Sequence, residues 1–274
     1  MKRQPPKERY QHSFYLNEVK NSSKKMEDKE HLRKLLPELI AAERQQLSYF
    51  RNQSDQEPES FVTSDDSVFL RKKVYKEWFS ESDVAIRMRK PPIQSKCAYC
   101  YLRDVDVLDH YFDKSTVPTL SISTDNLVPI CNECNLKKGN QPYRFVNPYF
   151  ETVYRKGWLD VSVTYTTRPW KFRFTLQNVD DLPDSTFDKL KKQLDHGDFF
   201  NKLHDVMSPV LSDLFGNLKF LQEMNNAMLV PFLEHQQKQI QERVTDYIDA
   251  KDKALLVVIH QLLVDIDIWE NAQA

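Results

Sequence analysis

Apolar residues follow helical spacing over much of the chain. Leu32, Leu35, Leu36, Leu39, Ile40 and Leu47 predict one amphipathic helix over 28–51, with Pro37 kinking or restarting it. Residues 1–27 are polar and charged and predict a flexible N-terminus, and 52–66 predict a linker. A second helical stretch over 67–90 should stop at Pro91-Pro92. The period then changes to two: Val161, Val163 and Tyr165 alternate, as do Phe172, Phe174 and Leu176, with the turn in Thr166–Lys171. From Asp184 to about Asp252 the period is helical again. Leu203, Val206, Met207, Val210, Leu211, Leu214, Leu218 and Leu221 form a long stripe that reads as core. A last helix or strand covers 253–269. No internal repeat or low-complexity tract is present. The organisation expected is a helical N-terminal region (28–92), a compact motif region (93–150), a β-hairpin extension (151–180) and a helical C-terminal region (181–274).

Composition narrows the function. With 40% hydrophobic and 29% charged residues in 274, the chain can bury a core. Its four glycines are too scattered for a Gly-rich phosphate loop, so neither a dinucleotide nor a Walker fingerprint can be written. The N-terminus has no apolar signal core. The most apolar stretch, Ala254–Trp269, is interrupted by polar residues and too short for a bilayer, so the expected location is cytoplasmic with no membrane partner. A net charge of −1 hides an asymmetry: residues 71–96 carry eight basic and three acidic groups, and 241–274 carry three basic and seven acidic. The basic tract suits a phosphate backbone and equally suits a solvated helix face.

All four cysteines lie in a 38-residue window as Cys97-x2-Cys100 and Cys131-x2-Cys134. In a reducing compartment two such pairs read as a tetrahedral S4 site for structural zinc, closed because four protein ligands leave no open position. The 30 residues between the pairs exceed a simple ribbon. They hold Val105–Ser115 and Asp125–Ile130, read as two short strands flanking a polar loop, and the second pair runs into a helix start closed by Gly139.

Cys97 to about Tyr143 resembles an HNH endonuclease of the ββα-metal class with a CxxC…CxxC zinc elaboration. The matching residues are Asp109-His110, Asn126-Leu127 and Cys131-Asn-Glu-Cys-Asn135-x2-Lys138, within 47 of 274 residues. Asp113 stands where the family often has proline. The expected fold class is therefore α+β: a small zinc-stapled ββα-metal unit in a mostly helical chain with an added β-hairpin. The resemblance implies His110 as general base, Asp109 and Asn135 as ligands of a catalytic Mg2+ or Mn2+, Asn126 as the residue orienting His110, and DNA as substrate, with RNA not excluded. Lys138, with Lys137, is expected to hold a phosphate near the helix N-terminus. In a regular strand Asp109 and His110 face opposite sides, so a bulge or a strand end is needed for both to serve one substrate.

Proteins of this type also occur beside ATPases in bacterial anti-phage defence, which implies a regulatory partner, such as an ATPase, docking on the helical C-terminal region. The alternative is a zinc-stapled nucleic-acid-binding or partner-docking subunit that does not cut. Singly, Asn126 reads as a turn residue, Asn135 as a helix cap and the lysines as surface.

Overall fold

The computed structural model describes residues 14–54, 56–90, 96–139, 144–151, 153, 157–165, 170–178, 182–243 and 250–267. Residues 1–13, Pro91-Pro92, Asn140–Tyr143, residues 166–169 of the expected turn and the expected element's end at Trp269 lie outside them. The protein is mixed α+β, mostly helical, with two small antiparallel sheets. It divides into two compact units. One comprises residues 2–98 and 104–151, the other 99–103 and 152–274. Among the described residues no helix is long and apolar enough to cross a membrane.

In the first unit, a π-helical turn (Tyr15–Lys20) precedes α1 (Met26–Asn52), which continues through Pro37 as one element. Its buried Leu32, Leu35, Leu36 and Leu39 make the predicted stripe. The stretch read as a linker is held in place: Glu57 grips Arg144 with both carboxylate oxygens, and Gln45 accepts the Glu59 N–H. The next helix starts three residues earlier than its apolar pattern suggests. Thr63 and Asp66 form a reciprocal capping box that opens α2 (Ser64–Val68). This runs directly into a π-helical segment, Phe69–Phe79, whose i→i+5 bonding continues to Ser80 N–H···O Tyr75. Ser82 then caps α3 (Asp83–Arg89), so the predicted single helix is broken at 80–82.

β1 (Val107–His110) pairs antiparallel with β2 (Leu127–Ile130), and α4 (Asn132–Lys138) follows. Leu108, Ile122 and Leu127 join one buried cluster with Leu32, Leu39, Leu70, Val74 and Phe79. The small ββα segment therefore shares its core with the helices before it.

In the second unit, β3 (Leu159–Thr164) pairs with β4 (Lys171–Leu176), as the alternation predicts. Among the described residues four α-helices follow: α5 (Asp184–His196), α6 (Phe199–Met224), α7 (Leu229–Arg243) and α8 (Ala250–Val264). The apolar run after 253, open between helix and strand by periodicity, is helical. Its buried Ala250, Ala254, Val258 and Leu262 recur every four residues, and α8 lies against β3. In α6 the predicted stripe narrows to Leu203, Met207, Leu211, Leu214 and Leu218, while Val206 is exposed. Residues 99–103 belong to this unit through Gln193 Nε2–H···O Tyr99 (2.8 Å) and Ala250 N–H···O Tyr101 (3.0 Å).

Candidate metal centre and active site

Cys97, Cys100, Cys131 and Cys134 are all buried, all free of disulfides, and their Sγ atoms lie within 4.8 Å of one another. A tetrahedral zinc with Zn–S of about 2.3 Å needs S···S of roughly 3.8 Å, a small contraction of this cluster. The four cysteines are thus compatible with a structural zinc. The backbone prepares the site. Cys131 is the N-cap of α4, and its Sγ accepts the Cys134 N–H at 3.4 Å. Ala98 N–H bonds to Pro129 O beside β2, Asp106 N–H to Ile130 O, and the Asp106 carboxylate accepts the Asn132 N–H. Tyr101 takes the left-handed conformation (φ 56°), rare without glycine, as the first knuckle turns back.

The segment between the knuckles sets out the remaining predicted residues. His110 is the last residue of β1, which supplies the strand end noted above. Leu108 and His110 are buried, whereas Val107 and Asp109 are partly exposed, so the pleat alternates. The His110 ring packs edge-on against Tyr75 of the π-helical segment, with centroids 4.5 Å apart. His110 Nε2 lies 2.9 Å from Ser121 O. A carbonyl can only accept, so Nε2 carries the proton and the lone pair of the neutral ring is at Nδ1. Burial lowers the His110 pKa to about 3, with the Lys114 charge adding to the effect. The imidazole is therefore neutral at pH 7.

Asp109 lies on the other side of the pleat. Its carboxylate receives Lys138 Nζ at 2.8 and 3.0 Å, and the same ammonium is 3.3 Å from His110 O. Asn135 is one turn before Lys138, on the same face of α4. Among the described residues its side chain has no hydrogen-bond partner. Lys137 points elsewhere, to Glu133 at 3.4 Å. Asp109 and Asn135 each carry an oxygen donor, and in this structure both Asp109 oxygens are taken up by Lys138.

Asn126 is fully buried and works on the loop rather than on the His110 ring. Its side chain accepts the Phe112 N–H (2.8 Å) and donates to Phe112 O (3.0 Å) and Leu120 O (3.1 Å). Its backbone carbonyl accepts the Tyr111 N–H. The loop from Tyr111 to Ser121 is thereby tied to the start of β2, and Ser121 O is held where His110 meets it. Asp113, in place of proline, shapes the loop by an Asx turn to Ser115. Burial pushes its carboxyl up, but the Ser115 hydrogen bonds outweigh this and hold it below the ordinary value.

Three neighbours of the site were not singled out from sequence. Tyr75 packs on His110; burial raises its phenol pKa, and the Asp109 charge adds to this, so it stays protonated. Lys114 places its ammonium 4.6 Å from the centre of the Tyr75 ring. Arg144 stacks on Phe112 and donates to Tyr111 O, closing the far end of the loop. The basic tract at 71–96 was the visible signal for Tyr75, which it brackets, but nothing in the sequence says which face meets His110.

No family model, curated protein or solved structure matches the chain.

Proposed function

We propose that the chain is a metal-dependent endonuclease of the HNH type that hydrolyses phosphodiester bonds in DNA, with zinc on the four cysteines as a fold staple. The observation that carries this reading is the His110 environment. A neutral imidazole has its Nε2–H spent on Ser121 O and its Nδ1 lone pair left over at a strand end, with the Asp109 carboxylate on the other side of the pleat. That tautomer leaves Nδ1 as the acceptor for a water proton, and the negative charge of a bound phosphodiester would raise its basicity from the low value that burial gives it. In this reading Nδ1 takes the proton from the attacking water, Ser121 O fixes the ring through Nε2–H, and Asn126 fixes the Ser121 loop. Asp109 and Asn135 would hold one Mg2+ or Mn2+, which supplies Lewis-acid stabilisation of the phosphoryl and leaving oxygens.

The test is plasmid nicking with Mg2+ or Mn2+, wild type beside His110→Ala. We expect the variant to lose about 10²–10⁴-fold in rate, the range for a general base, with its zinc content unchanged. Equal cleavage by a zinc-loaded His110→Ala protein would overturn the assignment. A second reading, a zinc-stapled DNA-binding module that does not cut, is favoured by one observation: Lys138 spans both Asp109 oxygens. Binding without nicking under either ion would select it.

A further inference from the structure

The sequence points to Lys137 and Lys138 as phosphate ligands, yet both ammonium groups face carboxylates, Glu133 and Asp109. The cations near His110 without such a partner lie elsewhere. Among the described residues Arg71, Lys76 and Lys114 have no ion pair with an acidic side chain; Arg71 donates only to Ser67 O in its own helix. Lys73, between them in sequence, pairs with Glu77 and Asp28.

The π-helical winding of Phe69–Phe79 accounts for the grouping. In an α-helix, positions i and i+5 diverge by about 140°. With i→i+5 bonding there are roughly 4.4 residues per turn, so i+4 and i+5 flank i on the next turn. Arg71, Tyr75 and Lys76 stand in that relation. They form one face whose middle residue packs against His110 and carries Lys114 over its ring. Lys114 is half-buried. Desolvation lowers its pKa, the charges of Asp113 and Asp109 oppose this, and Arg71 and Lys76 lower it further. Like charges gathered on a partly dry surface favour an anion.

We propose that Arg71, Lys76 and Lys114 form a binding site for the phosphodiester backbone of a nucleic acid, beside His110 and outside the CxxC-framed helix. The proposal takes its place in catalysis from the nuclease reading above and adds the residues that would hold the strand.

The test is binding of a fluorescein-labelled DNA duplex, and of an RNA of the same sequence, across a salt series with no added divalent ion and no chelator. Each lost phosphate contact reduces the slope of log K against log[salt] by about 0.9. Arg71→Gln/Lys76→Gln/Lys114→Gln should therefore flatten the slope by about 2 to 3 and weaken binding at least tenfold on whichever polymer the wild type binds. The charge-conserving variant Arg71→Lys/Lys76→Arg/Lys114→Arg should bind as wild type. Lys25→Gln/Lys34→Gln/Lys72→Gln removes the same charge from exposed positions and should leave the slope unchanged. Equal flattening by the two neutralising triples, an unchanged slope in the first, or no wild-type binding to either polymer would overturn the site. A wild type that never nicks while the first triple loses its slope sinks the nuclease reading and keeps this site. Nicking with an unchanged slope does the reverse.

Discussion

Among the described residues two antiparallel strand pairs are built on different physics. β3 and β4 are six residues each, and their faces alternate: Leu159, Val161 and Phe174 are buried, while Asp160, Ser162, Arg173 and Thr175 are exposed. β1 and β2 are four residues each, and every residue of β2 is buried. Two-stranded ribbons are marginal alone, and each hairpin finds support differently. The longer one offers a single apolar face to α8. The shorter one is held at several points. Cysteine knuckles flank it, Asn126 ties its loop, and the N-terminal helices cover Leu108 and Leu127. Polar chemistry lies on the second kind. His110 and Asp109 are buried or nearly so, and only a frame that positions their partners makes that tolerable.

The largest way to break this comparison is to remove the cysteine frame. Cys131→Ala deletes both the α4 cap and one thiolate of the proposed zinc site. We expect metal analysis to show loss of bound zinc. Amide exchange over 107–110 and 127–138 should accelerate by orders of magnitude, because metal binding and local folding are one equilibrium, while 159–164 and 171–176 keep their protection. Simultaneous loss at both hairpins would mean that they are not independently supported.

Acid should separate them next. His110 has a folded pKa near 3 against 6.5 unfolded. Between these values the unfolded chain binds more protons, so stability is full above pH 6.5 and falls as pH drops towards 3. The loss is on the order of a few kcal/mol. Urea midpoints of the first unit should follow that slope, and His110→Gln should flatten it. A wild-type slope that survives the substitution would assign the loss to other groups.

The smallest effect sharpens the contrast by single side chains. Asn126→Ala leaves the Phe112 N–H, Phe112 O and Leu120 O without their partner in a buried loop and should cost about 3 kcal/mol. Thr175→Ala, exposed on β4, should stay within about 0.5 kcal/mol. Similar shifts in urea midpoint for the two would show that the loop does not depend on Asn126.

The legibility of these parts follows the same division. The helix α1, the β3–β4 pair and the α6 stripe could be read because one period repeats over many residues, and burial of one face is the whole of their logic. The Thr63–Asp66 cap was also visible in the letters, but the apolar run begins later and hid it. The π-helical segment was not, since no residue pattern marks a change from i→i+4 to i→i+5 bonding. The cysteine spacing identified a four-thiolate cluster because each CxxC is a local device. Asp109, His110, Asn126 and Asn135 were nameable as chemistry-bearing residues by type and order. Their partners were not, because Ser121, Tyr75 and Lys114 meet His110 only after the loop closes.

By itself, then, the sequence determined the periodic helices, the alternating hairpin, the four-cysteine cluster and the positions able to donate oxygen or nitrogen to a site. Those properties rest on interactions spanning a few residues or on residue type alone. Only the tertiary structure decided that Lys138 neutralises Asp109, that Ser121 O selects the His110 tautomer, that Glu57 and Arg144 clamp the loop, and that Lys114 lies over Tyr75 on the helix that carries Arg71 and Lys76. These depend on distance and dielectric between residues far apart in the chain, and Coulomb energies change severalfold with both.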